Sequence, residues 1–237
     1  MNKYVKKIIK KSLPGRVIEI FKIIFDWHSI KSYSQEGEDM ILRRLFENKN
    51  KGFYVDIGAH HPLRFSNTYF FYKQGWRGIN IDAMPGSMRI FRKLRPRDIN
   101  IEIPVSLENK LMKYYIFNDP ALNGFDVQLA MRRDADKNEY KIQKIVELQT
   151  QPLSDVLSNH LPKNQKIDFL SVDVEGLDFE VLKSNDWSKF KPEVVLAETL
   201  GGSSLSELSN HEISIFLRGV GYEIYAKAVN TVIYKRL

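Results

Sequence analysis

The sequence predicts an α/β fold: a mostly parallel sheet flanked by helices, with an antiparallel hairpin at the C-terminal end. Three observations predict it. Phe53-Tyr54-Val55-Asp56-Ile57 is an apolar run that reaches a glycine, Gly58, as a buried parallel strand does at its carboxyl end. Ile79-Asn80-Ile81-Asp82 repeats the acidic strand end about one βαβ unit later. Near the C-terminus, residues 222–227 and 231–235 flank Asn230 as the two arms of a hairpin.

The elements follow in order. Residues 33–47 begin polar and become helical. Ser34 is the expected N-cap, and Met40, Ile41, Leu45 and Phe46 recur at helical spacing. After the first strand comes a helix over 66–74, stopped by Gly75. A strand over 77–82 leads to a helix over 85–94 with Pro85 in its first turn. A third strand covers 99–105. This β-α-β-α-β rhythm implies right-handed crossovers. Residues 113–117 read as an extra strand and 145–148 as its return. That makes about 118–150 a hairpin-like insertion, either a cover for the substrate or a solvated excursion. The sheet resumes with a helix over 154–160, a strand over 167–173, a helix over 179–182, a strand over 193–198 and a helix over 207–219.

A chain of 237 residues holds one such domain. The 36 basic and 29 acidic residues give a formal charge of +7. Residues 1–31 carry eight basic side chains against two acidic ones, so +6 belongs to this segment and +1 to residues 32–237. A nearly neutral body argues against a nucleic-acid partner. The segment itself is too interrupted by charge to span a bilayer and lacks the core of a secretory signal. Two readings of it stay open. One is a basic amphipathic helix on an anionic membrane, which would put the protein in the cytoplasm at the inner membrane face. The other is a first helix packed on the domain with solvated lysines. No cysteine is present, which excludes a disulfide framework, thiolate metal sites and a cysteine nucleophile.

The glycine count after the first strand selects the ligand. A dinucleotide pocket wants G-x-G-x-x-G, and a triphosphate loop wants a glycine-rich stretch ending in Gly-Lys-Ser/Thr. Here Gly58 stands alone in Asp-Ile-Gly-Ala-His. A compact nucleoside without phosphates remains, and S-adenosylmethionine fits. Gly58 and Ala59 would let the backbone pass its methionine portion. Asp82 would accept from both ribose hydroxyls. Ser106, at the third strand's end, would lie beside the adenine. Asp56 would orient the cofactor ammonium, directly or through water. Asn67 would donate to the cofactor carboxylate from the next helix start. Gln35 belongs to the polar run before the first helix of the body, which can line the same pocket.

These residues resemble the FkbM family of S-adenosylmethionine-dependent methyltransferases. The matching segments are residues 33–39 (YSQEGED), 55–62 (VDIGAHHP), 66–68 (SNT), 75–82 (GWRGINID) and 168–176 (DFLSVDVEG). In order and spacing they cover about residues 33–200. The resemblance implies a class I methyltransferase (Rossmann-like) fold. It also implies O-methylation, often of sugars in natural products or bacterial surface glycans. The family usually has Glu where this chain has Asp82, one methylene shorter with the same role.

Methyl transfer to a hydroxyl needs in-line approach, proton removal and a dry pocket. Asp173 and Glu198 end adjacent strands at the ligand edge. Either Asp173 or a histidine, His60 foremost, acts as general base, or Asp173 and Glu198 hold a divalent cation such as magnesium or manganese. Glu175 is a catalytic candidate and equally a helix cap. His61 and Trp76 read as structural, and His211 as a surface residue. The expected substrate is a sugar or nucleotide sugar.

Overall fold

The computed structural model describes residues 12–25, 28–135, 137, 139–199 and 204–237. Lys3 to Lys11 of the basic segment lie outside them. Two compact units result, residues 1–32 and residues 33–237. In the first, helix α1 (Gly15–Ile24) leaves Ile20, Ile23 and Ile24 exposed, and Lys22 pairs with Glu19 one turn earlier.

The second unit is built on a seven-stranded sheet of order β3-β2-β1-β6-β7-β9-β8. Its strands are β1 (Phe53–Ile57), β2 (Arg77–Asp82), β3 (Ile99–Glu102), β6 (Phe169–Val172), β7 (Val194–Glu198), β8 (Tyr222–Lys227) and β9 (Thr231–Arg236). Pairing is parallel from β3 to β7, and β9 joins β7 and β8 antiparallel. The expected mostly parallel sheet with a terminal antiparallel hairpin is therefore present, and its second arm lies inside the first.

All five β1 residues are buried because both faces are covered. Successive side chains go to opposite faces. Val55, Ile57, Leu170 and Val172 join the larger core, while Tyr54 and Phe169 join a cluster with Phe46, Phe71 and Trp76. Trp76 is thus a core residue, as its sequence position implies. Near this cluster lies a charged group. Arg95 is fully buried and donates to Asp98 at 2.9 Å, to the Tyr54 hydroxyl at 2.7 Å and to Thr68 Oγ1 at 2.9 Å. Asp98 also accepts from Gly78 N and Asn80 Nδ2, both at 3.0 Å. A buried ion pair is tolerated when its remaining donors and lone pairs are met in this way.

The helices are α2 (Glu38–Leu45), α3 (Tyr69–Lys73), α4 (Met88–Leu94), α5 (Val127–Arg133), α6 (Leu153–His160), α7 (Asp178–Lys183), α8 (Leu205–Ser209) and α9 (Glu212–Gly219). Four depart from expectation. The helix expected over 85–94 begins at Met88, which leaves Pro85 in the preceding turn rather than in its first turn. The helix expected over 66–74 shrinks to α3, because Ser66 Oγ accepts from Tyr69 N and Thr68 Oγ1 donates to Asp56. Helix α2 starts at Glu38, after Gly37 at φ 88°, and Ser34 instead bonds both the side chain and the N–H of Asp39. The single helix expected over 207–219 is two. His211 ends the first by capping the second, its Nδ1 accepting from Ile213 N at 3.3 Å. The third strand also stops early, at Glu102, and Val105 keeps only a bridge to Gln151.

The insertion forms its own two-stranded antiparallel sheet, β4 (Leu111–Phe117) with β5 (Ile142–Gln149). A 3-10 turn over Pro120–Leu122 and helix α5 lie between these strands.

Candidate active site

The carboxyl ends of β1, β2 and β6 meet because their registers align. Ile57 stands opposite Ile81 on one side and Val172 on the other. The next residues, Gly58, Asp82 and Asp173, therefore converge, and all three line one pocket. Gly58 N and Ala59 N both donate to Ile81 O, at 3.0 and 3.1 Å, which folds the chain back over β2. Gly58 has φ 78°, and a Cβ there would lie 1.6 Å from the Asp173 carbonyl oxygen. The glycine is thus required by the junction of β1 with the end of β6. This requirement stands beside the expected one, backbone passage of the methionine portion, since Gly58 also lines the pocket.

Of the residues singled out by the sequence, Gln35, Gly58, His60, Asn67, Asp82, Asp173 and Glu175 line this pocket. Asp82 holds the loop as well as the pocket wall: its Oδ2 accepts from His60 N at 2.9 Å and its Oδ1 from Met84 N at 2.8 Å. Each oxygen keeps a second lone pair for a ribose hydroxyl. His60 sits at φ 50° and stacks near Phe65, with ring centroids 6.4 Å apart. His61 does not line the pocket. Its Nδ1 accepts from Leu63 N and Arg64 N at 3.1 and 3.0 Å, the structural role its place before Pro62 implies.

Glu175 does not cap α7. The N-cap is Leu177, with no side-chain bond, and Asp178 holds the loop before the helix, accepting from Val174 N and Gly176 N at 3.2 Å each. Glu175, at φ 56°, turns to Arg133 of the insertion instead, Oε2 to Nη2 at 2.5 Å. Arg133 also donates to Leu122 O at 3.1 Å. This ion pair ties the insertion to the loop after β6. Tyr114, Asn123, Gly124 and Phe125 of the insertion wall the same pocket.

Four expected residues lie elsewhere. Asp56 is buried beneath the pocket, with Thr68 Oγ1 donating to it at 2.9 Å. Ala59 packs on Met88 and Phe91. Ser106 is buried with its N–H on Gln151 O at 3.1 Å, so Ile103 and Val105 represent that segment in the pocket. Glu198 is adjacent to Asp173 across the strand ends, yet it does not line the pocket.

Burial raises the carboxyl of Asp173 well above its usual range, and the charges of Glu198 and Glu175 raise it further. Burial, then Glu175, pushes Glu198 up to about 8. Burial raises Asp82, opposed by its two backbone donors. Burial also lowers His60 below 6.5, against the pull of Asp82. At neutral pH the histidine is therefore an uncharged base.

These residues fit S-adenosylmethionine. Glu38, Asp82, Asp173 and Glu175 give the pocket an acidic lining suited to a ligand that carries a sulfonium and an ammonium. Asp82 offers a pair of acceptors, and Asn67 Oδ1 is a buried acceptor that no described residue meets. They do not fit a divalent cation on Asp173 and Glu198. Among the described residues no group of three or more carboxylates, histidines or cysteines could hold one.

The sequence reading passed over several lining residues. Glu38 stands in a quoted motif, but nothing local shows that its Oε1 takes the Thr231 hydroxyl at 3.2 Å while its side chain faces the pocket. Tyr114, Asn123 and Phe125 carry no sequence signal, because a folded-back insertion is a long-range event.

The Methyltransferase FkbM domain matches residues 56–224, more than half of the chain. No curated protein sequence matches. Among solved structures, the chain is similar to a TehB-like SAM-dependent methyltransferase from Corynebacterium glutamicum, at 8% identity and TM-score 0.41, over 100% of both chains. It is also similar to an O-methyltransferase from Bacillus cereus in complex with SAH, at 10% identity and TM-score 0.39, over 99% of this chain and 97% of that one. The family match carries the assignment, and the sheet order agrees with it: the chain has a class I methyltransferase fold and belongs to the FkbM family of S-adenosylmethionine-dependent methyltransferases.

Proposed function

We propose that the protein O-methylates a sugar hydroxyl, in a cell-surface polysaccharide or its nucleotide-linked precursor. The observation that supports this most is the placing of an uncharged His60 in the same pocket as Asp173, walled by the insertion. When bound, S-adenosylmethionine supplies an electrophilic methyl group on sulfur. Asp82 and Asn67 hold its polar ends. The acceptor enters beside the insertion, and Asp173 orients its hydroxyl. A ring nitrogen of His60 would take the proton that the acceptor hydroxyl gives up on methylation. The Tyr114, Asn123 and Phe125 wall keeps water out.

Incubation of the protein with S-adenosylmethionine and a panel of nucleotide sugars, polymeric glycans and a catechol, read by mass spectrometry, tests this. The expected product is one nucleotide sugar heavier by a single methyl group. Methylation of a catechol but of no sugar in the panel, polymeric glycans included, would show that the acceptor class is wrong.

A further inference from the structure

A second cavity, a groove of about 760 Å³, lies at the amino ends of β6 and β7, away from the carboxyl ends that form the candidate active site. Asp168 stands five residues before Asp173, so at a strand's rise the two sites are on the order of 16 Å apart along β6. Lys49, Lys163, Lys166, Lys189, Lys191 and Arg236, from four separate stretches of chain, line the groove. Asp168 and Glu193 oppose these six, which leaves a local charge of +4. Residues 32–237 together sum to only +1, so the basicity of the body is concentrated here. Part of this set is fixed by the fold. Asp168 is buried, accepts from Phe53 N at 2.7 Å and pairs with Lys49. Lys189 Nζ donates to Ser158 Oγ at 3.0 Å, which leaves the serine proton for another acceptor. Arg236 Nη1 holds Lys191 O at 3.1 Å. A turn closed by Gln165 N on Pro162 O at 3.0 Å, with Asn164 at φ 63°, carries Lys163 into the lining. Lys163, Lys166 and Lys191 are exposed and, among the described residues, form no ion pair.

We propose that this groove binds a phosphate-bearing anion, a free diphosphate or the phosphorylated headgroup of a lipid, with Lys163, Lys166 and Lys191 as its principal contacts. Amines gathered in one groove repel one another, and a multivalent anion relieves that repulsion. A phosphoryl group carries about −1.5 to −2 at neutral pH, so one or two of them match the local charge where a single carboxylate does not. A lysine ammonium meets phosphate oxygens as a compact charge with three donors. The one aromatic residue of the lining, Phe190, is buried, so the groove offers no exposed ring for a base to stack on, which disfavours single-stranded nucleic acid. The site is separate from the methyl-transfer pocket and does not depend on the reading of that pocket.

The test is calorimetry on the full chain with sodium diphosphate as the probe. The wild type is expected to bind it at low salt and several-fold more weakly at about 0.3 M salt. Combining Lys163→Glu, Lys166→Glu and Lys191→Glu is expected to weaken diphosphate by about tenfold or more, and to leave S-adenosylhomocysteine affinity unchanged. If that triple variant does not fold, Lys166→Ala combined with Lys191→Ala is expected to show the same loss at smaller amplitude. Flotation of the full chain with phosphatidylcholine vesicles containing phosphatidic acid identifies the source of the phosphate. Weaker flotation of the triple variant assigns a lipid headgroup, and equal flotation beside lost diphosphate binding assigns a free anion. No binding of diphosphate by the wild type at low salt, or equal binding by wild type and variant, overturns the proposal. Neither result touches the methyl donor, which S-adenosylhomocysteine binding tests by itself.

Discussion

His60 holds a left-handed backbone at φ 50° directly after the glycine turn, a conformation that costs a non-glycine residue on the order of 1 kcal/mol. The Asp82 carboxylate over-determines it by accepting from its N–H. The ring is thereby set in the pocket and, being partly buried, kept uncharged. Because its ionisation lies below 6.5, kcat/KM should rise with pH through that lower value and then level off. His60→Asn should reduce kcat/KM by roughly 10²–10⁴-fold and abolish this acid limb, with S-adenosylhomocysteine affinity preserved. An unchanged pH profile would transfer the base to another group. Asp82→Ala removes two acceptors and two loop anchors together. Calorimetry should show S-adenosylhomocysteine binding weaker by about 10–100-fold, the usual worth of hydrogen bonds to a charged group. Glu198 gives a stability prediction. Its carboxyl rises from 4.5 to about 8 on folding. Between those values the folded state holds more protons than the unfolded one, so this group's contribution falls as pH rises from about 5 to 8. Melting curves of the ligand-free protein should show Glu198→Gln gaining stability over wild type across that window. A constant difference at all pH values would mean the carboxyl is not perturbed.

At the scale of elements, the insertion is attached to the site through α5. Arg133 and Glu175 are each only 19% exposed, so removing one partner leaves the other a largely buried charge without its counter-ion. Arg133→Ala should raise the acceptor KM about tenfold while leaving cofactor affinity alone, and amides of 118–135 should exchange faster with deuterium. Unchanged exchange would show that the pair does not hold the insertion. The insertion also marks where the sequence was legible. β4 and β5 were visible as aromatic and β-branched runs, Tyr114-Tyr115-Ile116-Phe117 and Ile145-Val146. What lies between them was read as a cover for the substrate or a solvated excursion, and which of its residues wall the pocket was not visible. β1, β2 and β6 were legible because strands buried on both faces leave short, mainly apolar runs, here interrupted by Asp56, Asn80 and Ser171. Their ends located the site, since Gly58, Asp82 and Asp173 follow in register. A strand end fixes the edge and not the direction of a side chain, which is why Glu198 and Ser106 were assigned to a pocket they do not line. Arg95 was read as nothing at all. It follows a helix and resembles any surface arginine until Asp98, Tyr54 and Thr68 are folded around it.

For the whole molecule, the basic N-terminal segment and the nearly neutral body ask for separate tests. No described helix is long and apolar enough to cross a membrane. The proposal that residues 1–31 meet an anionic membrane predicts that the full chain floats with phosphatidylserine vesicles, that a chain lacking 1–31 does not, and that salt releases the former. Equal flotation of both chains would remove the proposal. The sheet order carries one more consequence. β9 lies between β7 and β8, so a strand made after β8 fills an interior place in the sheet. Until Thr231–Arg236 has been made, β7 is an open edge of Val194, Val195, Leu196 and Ala197, all of them destined for burial. Nascent chains stalled short of residue 231 therefore carry an adhesive strand edge that the folded sheet covers.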